Sequence, residues 1–96
     1  MTTRSEKRHI DGVQRQLLLS RESLRILEEQ VALWRENLEE VRIRALVAET
    51  PLQTKEYEEL LRHVQVAETE MHRRREDELQ LIRKRDELLR DWVPGQ

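Results

Sequence analysis

The sequence predicts an all-α fold, an antiparallel two-helix coiled-coil hairpin, from three observations. Ile10, Val13, Leu17, Ser20, Leu24, Leu27, Val31, Trp34, Leu38, Val41, Ala45 and Ala48 alternate in steps of three and four, which sets them on one stripe of a helix. A single break, Thr50-Pro51, follows that stripe, and beyond it the periodic apolar residues resume. Charged residues make up 40% of the chain against 36% apolar, with only two Gly and two Pro, a balance that suits long solvated helices and not a sheet.

Helix 1 is expected over about 4–48, opening on a Thr3 and Glu6 pair with capping-box spacing. At 1.5 Å per residue it is roughly 60 to 65 Å long. Gly12 costs about 1 kcal/mol relative to Ala and weakens the helix before Val13. The tip is 49–51, where Thr50 offers an N-cap hydroxyl, Pro51 a first-turn residue whose missing N–H costs nothing, and Gln53 the third position of a capping box. Helix 2 follows over about 52–92, and Pro94-Gly95-Gln96 reads as a frayed tail. A short connection makes antiparallel neighbours, so residues whose numbers add to roughly 100 should face each other. This places Trp34 near Ala67, Ala45 near Tyr57, and Ser20 near Leu79 and Ile82, large against small. The whole of 1–96 is expected to be one helical-hairpin domain.

Leu27, Trp34, Leu38, Leu60, Val64 and Met71 should carry the intramolecular seam. In helix 2 the spacing of Tyr57, Leu60, Val64, Ala67 and Met71 would next reach Arg74, Glu78, Leu81 and Arg85, mostly charged. A one-residue shift to Arg75, Leu79, Ile82, Asp86, Leu89 and Val93 is therefore expected, a stutter that locally unwinds the supercoil.

A second apolar stripe flanks the first: Leu19, Ile26 and Leu33, with Val47, on helix 1, and Leu81, Leu88 and Trp92 on helix 2. One partner helix cannot cover faces this wide. We expect a homodimer, two hairpins joined in an antiparallel four-helix bundle, with a groove for another protein's helix as the other use of the same stripe. The function expected is that of a non-catalytic interaction module, a scaffold or adaptor.

Other chemistries have less behind them. Net charge is −2, with acidic and basic residues interspersed, so no long-range field draws a polyanion. The densest basic runs, Arg73, Arg74 and Arg75 after His72, and Arg83, Lys84 and Arg85, are the candidate polyanion contact, but Glu76, Asp77, Glu78, Asp86 and Glu87 flank them. The first run should also face Glu28 and Glu29. An acidic tip, Glu49, Glu56, Glu58 and Glu59, resembles at the level of shape the acidic-tipped hairpins of transcript-cleavage factors, which implies insertion into a basic cavity of a transcription machine. Those factors add a docking domain and an adjacent acidic pair in the turn, and neither is in this sequence. Nucleic-acid or transcription-machinery binding is thus the alternative reading. The secreted hairpins of the Trp-x-Gly class differ at the turn, which here reads Ala48-Glu49-Thr50-Pro51-Leu52, with Trp34 in mid-helix.

Glu59 with His63, Glu68 with His72, and Glu6 with His9 have spacings that can reach one metal ion, but such pairs are common on solvated helices and no metal or other cofactor is expected. With no Cys there is no thiolate chemistry and no disulfide framework. No glycine-rich phosphate loop or Ser/His/Asp set is visible, and a thin hairpin offers no enclosed pocket, so an enzyme is not expected. The longest apolar runs are four residues and Met1 to His9 is polar, so neither a membrane span nor a signal peptide is expected and a cytoplasmic location is.

Overall fold

The computed structural model describes residues 4–92. It holds two long helices packed against each other as a hairpin, α1 over Arg4–Ala48 and α2 over Pro51–Asp91. Thr3, Val93 and the Pro94-Gly95-Gln96 tail lie outside the described residues. The α1 helix continues through Gly12 to Arg4, and Ile10 is buried, so packing of the first turns outweighs the weakness expected before Val13.

Two residues make the turn. Glu49 takes φ 51°, and its N–H donates to the Ala45 carbonyl at 3.0 Å, which ends α1 in the left-handed capping motif. The Gln53 N–H then donates to Thr50 Oγ1 at 3.3 Å, capping α2 where Pro51 begins it. A glutamate in the left-handed region carries a steric cost that glycine does not. Glu49→Gly should therefore raise stability, by up to about 1 kcal/mol, in urea denaturation. Unchanged or lowered stability would mean that the turn does not hold the left-handed conformation.

The chain divides into two compact units, each a pair of helical segments with its own core. The tip unit, Arg25–His72, buries Leu27 and Val31 of α1 and Val64, Ala67 and Met71 of α2. Trp34, Leu38, Val41 and Ala45 are half-buried on the same stripe of α1, as are Tyr57 and Leu60 on α2. The Trp34 ring meets His63 edge-on, centroids 4.6 Å apart at 71°, one helical turn from the expected Ala67. Arg35 Nε donates to Glu68 Oε1 at 2.9 Å and closes one side.

The other unit combines the described residues up to Leu24 with those from Arg73 onward. Its α1 half buries Ile10, Val13, Leu17 and Leu24. The facing half of α2 buries nothing fully, and here the structure corrects the expected stutter. Arg74, Glu78, Leu81, Arg85, Leu88 and Trp92, the uninterrupted three-and-four series, are half-buried, whereas Arg75, Leu79, Asp86 and Leu89 are exposed. Ile82 is half-buried beside the series. The physical reason is that a long charged side chain can cover apolar surface with its stem and keep its head in water. Arg74 Nη1 donates to the Ser23 carbonyl at 3.2 Å and to Ser23 Oγ at 2.9 Å, using the space left by a small residue. Arg21 Nε donates to Glu78 Oε1 at 3.3 Å. Charged residues thus keep the phase that apolar ones keep elsewhere. Among the described residues no buried side-chain polar atom is left without a partner.

Candidate interaction face

In the tip unit α1 turns a second face to solvent. Ile26 and Leu33 stand on it seven residues, or about 10 Å, apart, with relative exposures of 44% and 65%. Gln30 and Asn37 lie between and beyond them at helical steps of three and four, also exposed. Both were missed in the sequence, since neither is apolar; the signal that finds them is the absence of charge along that line. Ile43, Leu46 and Val47 of α1 and Leu52 and Val66 of α2 are further exposed apolar residues of this unit. Leu46 also lines an open depression at the turn, with Glu49, Thr50, Pro51, Lys55 and Glu58.

In the other unit Leu19 is exposed at 66%, beside Leu18. Leu81, Leu88 and Trp92, expected on an outer stripe, are instead on the half-buried series that faces α1. Leu88 and Trp92 share a small depression with Glu6, Ile10 and Asp91, and Leu81 shares another with Gln16, Asp77, Gln80 and Lys84. The unbroken phase of α2 moves these three from the outer face to the inner one.

No protein-family model matches the chain, and neither does any curated protein or any solved structure.

Of the expected intramolecular residues, Leu27, Val64 and Met71 are buried and Trp34, Leu38 and Leu60 half-buried. The basic runs are largely engaged locally. Arg73 pairs with Asp77 at 3.0 Å, Arg74 with Ser23, and Arg85 with Asp86 at 3.1 Å, while Arg75 has interactions of its own. Arg83 and Lys84 are exposed. Glu29 takes Arg25 at 2.7 Å, on its own helix.

Two of the candidate metal pairs have members engaged elsewhere. Glu68 holds Arg35, Glu59 lies 3.9 Å from Lys55, and His63 packs on Trp34. Among the described residues no three His, Asp or Glu gather as metal ligands. Glu39 and Arg42 form a two-point pair at 2.6 and 3.0 Å. Hydrogen bonding to Arg42 holds the Glu39 carboxyl below its usual range, and the same contact raises Arg42; both are exposed. No helix among the described residues is long and apolar enough to cross a membrane.

Proposed function

We propose that this chain is a non-catalytic coiled-coil interaction module that self-associates as a homodimer and serves as a scaffold or adaptor. The observation that carries the reading is the exposed Ile26 and Leu33 pair on α1. Full burial of a Leu or Ile side chain is worth about 1.5–3 kcal/mol, and both lie on a helix beside a face that is already packed, about 100° around its axis. Polyanion binding through the arginines is the weaker reading, because Arg73, Arg74 and Arg85 are already in local hydrogen bonds.

Light scattering on a sizing column across a wide concentration range tests it. The expected mass is that of a dimer, and Ile26→Glu should shift it to monomer while helicity by circular dichroism holds. At 44% exposure the substitution should cost the fold itself about 0.5 kcal/mol or less. A wild-type monomer at every concentration sinks self-association. A loss of helicity in Ile26→Glu would return Ile26 to the hairpin core.

A further inference from the structure

Building on self-association as proposed above, we infer that the occupant of this face is α1 of a second copy, running parallel, so that Ile26, Gln30, Leu33 and Asn37 each meet their own counterpart across a twofold axis along the helices. The first argument is charge. A parallel symmetric pair sets every residue on itself, so any charge on the contact line is a like-charge repulsion. In a chain that is 40% charged, the line through these four residues carries none. Its next steps are Glu40 and Arg44, which lie 3.8 Å apart on their own helix, and there the charge-free stretch ends. A different protein would need no such neutrality, since its charges could be opposite.

The second argument is the order of side chains. Ile26 and Leu33 occupy one position of the seven-residue repeat, Gln30 and Asn37 another. In a parallel pair like positions share a layer, so amide meets amide and hydrocarbon meets hydrocarbon. Each Asn or Gln offers both an acceptor oxygen and an NH₂ donor, and two such groups satisfy each other. An antiparallel pair mixes the positions and places amides against Ile or Leu, where each unsatisfied group costs about 1–3 kcal/mol. Buried polar pairs of this kind fix register and partner number.

The absence of Cys makes the test clean. Gln30→Cys and Asn37→Cys, prepared singly in the full chain and oxidised, should each give covalent dimers on a non-reducing gel, because each new thiol meets its own copy at disulfide distance. Both sites are exposed, so the fold should hold, and circular dichroism checks it. In an antiparallel dimer only one of two positions about 10 Å apart can lie on the twofold. A dimeric mass with cross-linking at one site or neither therefore overturns the parallel pairing and leaves self-association intact, whereas a monomeric mass overturns both. A second pair of variants is independent of disulfide geometry. Gln30→Glu and Gln30→Lys should each weaken association by about tenfold or more alone and dimerise when mixed. No recovery on mixing would show that residue 30 does not face itself.

Discussion

Leu17→Ala should lower the stability of the chain by about 2–4 kcal/mol, read from urea denaturation followed by circular dichroism. Leu17 is 1% exposed, the most enclosed side chain of its unit. The cost combines lost transfer free energy with the cavity left behind, and the second part depends on whether the surroundings collapse. The α2 side of this unit is built from half-buried Arg, Glu and Leu side chains. Their flexible stems can close part of the gap, which places the expected value below the top of the usual range. A two-helix chain of 96 residues has little stability in reserve, so a loss of this size should shift the midpoint visibly. Leu18, the next residue, is 66% exposed, and Leu18→Ala should change stability by no more than about 0.5 kcal/mol. Similar losses from both variants would mean that α1 does not present the face described.

The contrast between those neighbours is one that the sequence states outright. On α1 every seam position from Ile10 to Ala45 is apolar or a serine, so the spacing alone identifies the buried face. The turn was equally legible, because Pro51 can sit only at the start of a helix and Thr50 before it is a cap. The second half of α2 was not. Its seam carries Arg74, Glu78 and Arg85, and a reading that equates polar with outward must shift phase to avoid them. What decides the matter is the partner across the interface: Ser23 is small enough to admit the Arg74 stem and polar enough to bind its head. Residue type along one helix does not contain that information; the register between two helices does. The outer face shows the converse. Leu19, Ile26 and Leu33 were visible as exposed apolar residues, but Gln30 and Asn37 gain meaning only when the absence of charge on their line is noticed.

That register is testable in the tip unit, where Val64→Asp should unfold the helix pair and Val66→Asp should leave it folded. The two valines are two residues apart on one helix, about 200° around its axis. Val64 is 2% exposed, a core residue of the tip unit as Leu27, Val31 and Met71 are, and Val66 is 66% exposed. A carboxylate at 64 has no hydrogen-bond donor in an apolar core, so it must either lose hydration, take up a proton, or force the helices apart. With the lost valine packing, the cost should exceed about 4 kcal/mol, a large share of the stability of a small fold. The expected spectrum at neutral pH is that of a largely unfolded tip, and helicity should recover in part as the pH falls. The sign follows from burial: the folded state raises the carboxyl pKa above its unfolded value, so the destabilisation is present above that unfolded value and fades once the proton is bound. Val66→Asp should show neither effect. Retained helicity in Val64→Asp at neutral pH would remove Val64 from the core and with it the pairing of α1 and α2 around the tip.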